Sequence, residues 1–356
     1  MRVLVAAGGS GGHVFPALAV LEELHGQGGH ALAWIGNPEG VEGRVLAGRA
    51  WIEFLPLRTR GLPRGAPWPW PEALFQNGRA FLRARALVRS FRPDVVLAMG
   101  GYPSVAPALA AKTLGIPVVL HEQNAKMGLA NRSLARFADL VLLAFPHTVG
   151  CPRGIKTMVT GTPVRAGIAR VPAELGQEFL VLGGSLGSRR LVEAVLASAP
   201  RLVGLRGFRV RLVVGRAGDP AELARRLREE GLSAHVHVFT EQVEELLGRA
   251  RLVLARAGGS TLAELACAGR PAILVPWEAA AGGHQLKNAE HAARAGGFLL
   301  LRERDLSPSS LGELVAALWK DETELVRLGQ AARAQACPDA AQRVVKAIHR
   351  VGKERR

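Results

Sequence analysis

A short apolar run that breaks into a glycine cluster and then passes into a helical pattern opens the chain, and the same device recurs halfway along it. The first copy reads Val3-Leu4-Val5-Ala6-Ala7-Gly8-Gly9-Ser10-Gly11-Gly12, the second Phe179-Leu180-Val181-Leu182-Gly183-Gly184-Ser185-Leu186-Gly187. A run without polar alternation fits a strand buried on both faces, as in a parallel sheet flanked by helices. Strands are predicted at residues 2–6, 31–35, 94–98, 117–120, 139–144 and 157–160, and again at 178–182, 209–214, 235–239, 251–255, 271–275 and 297–301. Each is followed by a longer helical pattern, so the chain reads as repeated βαβ units. The fold class this predicts is α/β, with two Rossmann-like doubly wound domains facing each other across a cleft. A length of 356 residues suits two cores better than one. Gly and Pro punctuate Thr160-Gly161-Thr162-Pro163-Val164-Arg165, which sets the domains at 1–162 and 163–338 with a hinge between them. Beyond Pro338, Ala340, Ala341, Val344, Val345 and Ile348 fall at helical spacing, so residues 339–356 are predicted to form an amphipathic helix returning to the first domain.

A formal net charge of +16 favours an anionic partner: a phosphate-bearing ligand, an acidic membrane surface or nucleic acid. No nucleic-acid recognition motif accompanies the charge, and a nucleic-acid partner is not expected. Cys151, Cys267 and Cys337 form no CxxC pair and no metal-ligand spacing, which suits a reducing compartment and argues against a zinc site. Glycines interrupt the apolar start of the chain, and no stretch approaches the ~20 apolar residues of a spanning helix. The expectation is a soluble or peripheral protein.

Chemistry concentrates in the loops after the strands. Residues 8–12 lie between a strand and a helix expected to begin near His13 or Val14, so backbone N–H groups and a positive helix end share one small volume. The dinucleotide fingerprint fails because Val14 stands where its third glycine belongs, and no P-loop motif occurs. A tight turn for close helix packing is the plainer alternative. Met99-Gly100-Gly101-Tyr102-Pro103-Ser104 and His121-Glu122-Gln123-Asn124 also follow strands, which puts Tyr102 and this polar quartet at the carboxyl edge of the sheet, where open α/β folds bind ligands. In the second half Arg256-Ala257-Gly258-Gly259-Ser260-Thr261-Leu262-Ala263-Glu264 repeats the pattern. Its helix start suits a diphosphate and Glu264 suits the vicinal hydroxyls of a ribose, although a first-turn Glu also complements a helix dipole. Gln285 and Asn288 share a helix face and could both reach sugar hydroxyls.

Taken in order, Gly8-Gly9-Ser10-Gly11-Gly12-His13-Val14-Phe15-Pro16, Met99-Gly100-Gly101-Tyr102, His121-Glu122-Gln123-Asn124, Gly161-Thr162-Pro163-Val164-Arg165, Gly183-Gly184-Ser185 and residues 256–264 resemble the MurG family over nearly the whole chain. The resemblance implies a GT-B enzyme that moves N-acetylglucosamine from UDP-GlcNAc to lipid I, forming lipid II. It implies a membrane-side acceptor domain first and a donor domain second, on the cytoplasmic face of the cell membrane. The family's donor contacts carry over to Ser10, Gly11, Gly12, Asn124, Arg165 and Ser185, with the nucleoside at the Thr240 backbone and at Gly259, Ser260, Thr261, Leu262, Ala263 and Glu264, and Gln285 on the sugar. The chain departs from the family's habit at Lys126-Met127, Leu186 and Gly282-Gly283.

An α-linked donor and the implied β-(1→4) product call for in-line displacement, hence a base for the acceptor hydroxyl and stabilisation of the departing diphosphate. His13 is the first choice as base and Glu122 the reserve; His13 could equally be a helix-start hydrogen-bonding residue. Helix N-termini with Arg165 or Arg256 could meet the leaving charge. No DxD pair is present, and neither a metal nor another cofactor is expected. Trp68, Trp70, Leu74 and Phe75 stand beside Arg79, Arg83, Arg85 and Arg89, a pattern that suits an anionic membrane surface, or else a core with a solvated helix face. A different GT-B transferase with another lipid or small-molecule acceptor is the rival reading.

Overall fold

Every predicted apolar run becomes a strand in the computed structural model, which describes residues 1–59, 61, 70–184, 187–279 and 281–354, the side chains of 70–74 and 281 excepted. Contacts divide the chain into two units, Met1–Pro163 with Asp339–Arg356, and Val164–Pro338.

The first unit holds strands β1 (Arg2–Ala6), β2 (Ala31–Gly36), β3 (Glu53–Pro56), β4 (Val95–Ala98), β5 (Val118–Glu122), β6 (Leu140–Leu143) and β7 (Thr157–Val159). All pair parallel in the order β3-β2-β1-β4-β5-β6-β7. Helices α1 (Gly11–Gln27), α2 (Val41–Leu46), α3 (Trp70–Phe91), α4 (Val105–Thr113) and α5 (Leu129–Leu134) connect them. β3 escapes sequence reading because it is a four-residue edge strand, only partly buried and ending in Pro56. α1 begins at Gly11, two residues before the expected start, because Ser10 takes the N-cap in extended backbone and both following glycines adopt the helix. The C-terminal helix, Ala340–Lys353, belongs to this unit: Val344, Val345, Ile348 and Val351 join Val14, Leu18, Leu21 and Trp34 in one buried cluster.

The second unit repeats the plan with β8 (Glu178–Leu182), β9 (Arg209–Val213), β10 (Ser233–His237), β11 (Ala250–Ala255), β12 (Ala272–Leu274) and β13 (Phe298–Leu300), parallel throughout in the order β10-β9-β8-β11-β12-β13. Its helices are α6 (Arg189–Leu202), α7 (Pro220–Glu229), α8 (Val243–Arg249), α9 (Gly259–Ala268), α10 (His284–Arg294), α11 (Pro308–Lys320) and α12 (Glu322–Ala334). β10 lies two residues earlier than predicted, since its register with β9 ends at His237 and leaves Val238 and Phe239 exposed beyond the ladder.

In each sheet the winding reverses once, between β1 and β4 in the first unit and between β8 and β11 in the second. Loops leaving the carboxyl ends of two such strands diverge to opposite faces and open a crevice, the usual ligand position in doubly wound sheets. Those loops are residues 7–10 and 99–101 in the first unit, and in the second 183–184, 187–188 and 256–258 among the described residues.

Candidate active site

At the first switch point His13 stands on the opening turn of α1 and its ring lies across Gly100 and Gly101. A Cβ at Gly100 would come within 3.3 Å of His13 Cε1, and one at Gly101 within 3.2 Å of Cδ2. Both glycines have left-handed φ, 90° and 74°, so both backbone conformation and ring contact demand glycine there. His13 Nδ1 is 3.2 Å from Gln123 Oε1, and Gln123 Nε2 donates to the Met99 carbonyl at 2.8 Å. The imidazole is thus oriented by a residue on the loop after β5, itself tied to the loop after β4. Neither α1 nor α9 carries an acidic side chain in its first turn or a side-chain cap bond, so neither helix's positive end is compensated from within.

The quartet after β5 divides into different duties. His121 is fully buried, with Nε2 2.9 Å from the Gly161 carbonyl, and burial drives its pKa down to about 4, so the ring is neutral. Glu122, expected as the reserve base, is enclosed instead. One carboxylate oxygen accepts from the Asn124 backbone (3.0 Å) and side-chain amide (2.8 Å), the other from Gly128 N–H (2.9 Å) and Asn131 Nδ2 (3.0 Å). Four donors occupy its two oxygens, so Glu122 shapes the 122–131 loop and is poorly placed to take a substrate proton. Asn124 is half-buried, held by that carboxylate at the loop's turn. Tyr102 projects from the loop after β4, 43% exposed, with its ring against Gly9 and Gly61.

In the second unit α9 starts at Gly259, with Gly258 as an extended N-cap, so the first-turn N–H groups of Gly259, Ser260 and Thr261 point out of the helix end. Leu262 is core and can offer only backbone, while Ala263 is half-buried. Glu264 meets Arg165: Arg165 donates one nitrogen to Glu264 Oε1 at 2.8 Å and another to the Glu241 carbonyl at 2.7 Å. Two residues quoted separately from the sequence are thus one ion pair, anchored to the loop that carries Thr240. Thr240 itself accepts from the Gln242 N–H through its hydroxyl (3.0 Å). Gln285, on the first turn of α10, accepts from Trp277 N–H through Oε1 at 2.9 Å.

Two expectations are corrected here. Asn288, expected on sugar hydroxyls, is 0% exposed and donates to the Ala257 carbonyl at 3.0 Å, so it fixes the loop before α9 from behind. Arg256, expected to meet leaving-group charge, donates to Ser188 Oγ (3.2 and 2.9 Å), the Val275 carbonyl (3.1 Å) and Glu303 Oε1 (2.7 Å). Its charge is already paired inside the unit, and Ser188 is the N-cap of α6. Arg256 therefore clamps the glycine loop after β8 to β12 and to Glu303. Ser185 and Leu186 lie outside the described residues. Gly282 and Gly283, at φ 71° and 67°, take left-handed backbone just before α10, which accounts for glycine at those departures from the family's habit.

Sequence reasoning missed Ser188, Glu303, Gln123 and Asn131 as supports because their partners are distant in the chain. It also missed Glu42, whose carboxylate is 1% exposed beneath the first glycine loop. An acid in the first turn of a short helix after Gly40 looks like ordinary dipole compensation, and only tertiary contacts distinguish it.

Of the membrane-patch residues, Trp68 lies outside the described residues, as do the side chains of Trp70 and Leu74. The rest of α3 is two-faced: Ala80, Ala84, Val88 and Phe91 are buried, while Phe75 and Leu82 are each 66% exposed in line with exposed Arg79, Arg83 and Arg89. Among the described residues no helix is long and apolar enough to cross a membrane.

Residues 3–143 match the glycosyltransferase family 28 N-terminal domain, and residues 179–344 its C-terminal domain. A UDP-N-acetylglucosamine--N-acetylmuramyl-(pentapeptide) pyrophosphoryl-undecaprenol N-acetylglucosamine transferase of Halorhodospira halophila is 40% identical over 357 residues, 96% of each chain. Its namesake in Methylococcus capsulatus is 39% identical over 97% of each. The crystal structure of Acinetobacter baumannii MurG superposes with a TM-score of 0.76 at 31% identity, covering 98% of this chain and 99% of that one. The chain belongs to the MurG family. It is accordingly a glycosyltransferase, built on the family's two Rossmann-like domains. More remote members of the fold include the UDP-GlcNAc 2-epimerase of Neisseria meningitidis, with a TM-score of 0.69 at 15% identity, a likeness of fold alone. Against that MurG framework, the sequence blocks that carried the resemblance are the loops at the two switch points, the β5 loop and the segment 161–165 at the boundary of the two units.

Proposed function

We propose that this MurG-family chain transfers N-acetylglucosamine from UDP-GlcNAc to the MurNAc 4-hydroxyl of lipid I, with inversion, to give lipid II. The observation that carries the reading is the second switch point: an uncompensated helix N-terminus with a carboxylate, Glu264, set on the same helix and held by Arg165. That pairing of phosphate-binding N–H groups with an acceptor for a ribose diol is what a nucleoside diphosphate sugar requires. Names of relatives at 36–40% identity support the donor and acceptor.

In the reaction the acceptor oxygen forms a bond to the anomeric carbon as the bond from that carbon to the UDP oxygen breaks, and the electron pair leaves with the diphosphate. His13 takes the hydroxyl proton, its ring held by Gln123 and the two glycines. The first-turn N–H groups of α9 receive the diphosphate charge. No step calls for a divalent ion. Turnover with labelled UDP-GlcNAc and a lipid I analogue, beside UDP-glucose and UDP-GalNAc, tests this. Expected is UDP-GlcNAc preference and a rate unchanged by EDTA; transfer to diacylglycerol instead, or a strict Mg²⁺ requirement, counts against it.

The outer face of α3 supports peripheral docking on the cytoplasmic leaflet where lipid I sits. Phe75 and Leu82 suit shallow insertion, and Arg79, Arg83 and Arg89 suit anionic head groups, at ~1 kcal/mol per basic residue near such a surface. Sedimentation with vesicles rich in anionic lipid should show Phe75→Ser with Leu82→Ser binding about tenfold more weakly. Equal binding by the variant would remove α3 from membrane attachment.

A further inference from the structure

The first glycine loop rests on a buried charge that the transfer mechanism above does not use. Glu42, on the short helix α2, points its carboxylate under residues 8 and 9: Oε2 accepts from Gly9 N–H at 3.4 Å and Oε1 from Asn37 N–H at 3.0 Å. Space for it exists only because three neighbours are glycine. A Cβ at Gly8 would lie 2.2 Å from Glu42 Oε1, one at Gly40 2.6 Å from Oε2, and one at Gly36 3.0 Å from Cγ. The contact continues across the loop. The Gly8 carbonyl lies 3.1 Å from where a Gly101 Cβ would be, and that same position is 3.2 Å from the His13 ring. A carboxylate, two glycine peptides and the imidazole therefore form one packed line through the mouth of the switch point.

A buried carboxylate bonded to backbone N–H groups is satisfied only while those groups stay aimed at it, so the geometry is reciprocal: the loop fixes the carboxylate and the carboxylate fixes the loop in one shape. We infer that Glu42 is a positioning residue, an internal anion that holds residues 8–10 so that the start of α1 and His13 meet the substrates in register. The inference rests on the transferase reading above. Glu42 touches no reacting atom; it acts through Gly8, Gly9 and Gly101.

Tyr102 reports on this arrangement. It is the only tyrosine in the chain, its ring lies 3.5 Å from where a Gly9 Cβ would be, and its phenol is raised from the ordinary value first by burial and second by the charge of Glu42. Ultraviolet titration of phenolate in the intact protein therefore reads the Glu42 charge at one site, independently of turnover.

Two variants test the inference. Glu42→Gln removes the charge at nearly constant shape. Gly40→Ala, at φ −80° where alanine is unstrained, keeps the charge but displaces the carboxylate. Both should lower kcat about tenfold to a hundredfold, the size of a lost hydrogen bond to a charged group, with UDP affinity by calorimetry within about twofold of wild type. Glu42→Gln should also shift Tyr102 ionisation to lower pH, whereas Gly40→Ala shifts it less. Wild-type kcat in either folded variant overturns the inference, as does a kcat loss in Glu42→Gln with Tyr102 titrating unchanged. Should Glu42→Gln fail to fold, Gly40→Ala decides. A wild-type protein that fails to transfer from UDP-GlcNAc to the lipid I analogue would instead sink the transferase reading.

Discussion

His13→Ala lowers kcat by about two to three orders of magnitude, the range of a positioned general base, while the donor KM moves by less than about threefold. The asymmetry follows from placement. His13 sits in the unit that does not carry Glu264, and its ring is oriented by Gln123 and walled by Gly100 and Gly101. Truncation leaves the ring's space empty at a stability cost of about 1–2 kcal/mol, small enough for the fold to survive. His13→Gln separates the two roles, since an amide can still bond to Gln123 but cannot serve as a base. Steady-state kinetics with both substrates varied is the measurement. If His13→Gln turns over within about threefold of wild type, the residue starts the helix and the base lies elsewhere.

Glu264→Ala raises the donor KM by about tenfold to a hundredfold, because hydrogen bonds from a ribose diol to a carboxylate contribute about 1.5–3 kcal/mol. The same change removes the carboxylate that faces Arg165 and leaves its bond to the Glu241 carbonyl. With side chains only 12% and 13% exposed, the pair is screened little, so losing the counter-charge costs stability as well. The double variant Arg165→Ala with Glu264→Ala separates the effects: thermal stability should return toward wild type while donor KM stays high. Recovery of donor KM in the double variant would mean that Glu264 matters only for neutralising Arg165. A donor whose uridine bound away from α9 would leave KM unmoved in both.

Much of this molecule is written locally. The apolar runs and their glycine punctuation specify twelve of the thirteen strands among the described residues and the doubly wound plan, since a strand buried on both faces leaves few other solutions. The exception, β3, is short and half-buried, so its signal is weak and its pairing with β2 decides it. The loops at the switch points are legible for the same reason: glycine after a buried strand marks a place where backbone must turn sharply.

Which polar side chains in those loops face a substrate is a different kind of question. Glu122, Asn288 and Arg256 have the residue types of a site, yet each spends its hydrogen bonds inside its own unit, on Asn124 and Asn131, on Ala257, and on Ser188 and Glu303. Glu42 shows the converse, an ordinary helix-start acid in sequence that Gly8, Gly36 and Gly40 enclose. By itself the sequence determined the fold class, two Rossmann-like domains, and the glycine loops that follow their strands, because those follow from periodicity and backbone freedom over a few residues. Only the tertiary structure decided which charges are paired and which are presented, because a buried polar group takes whatever donor folding brings within 3 Å, and that partner is usually far away in the chain.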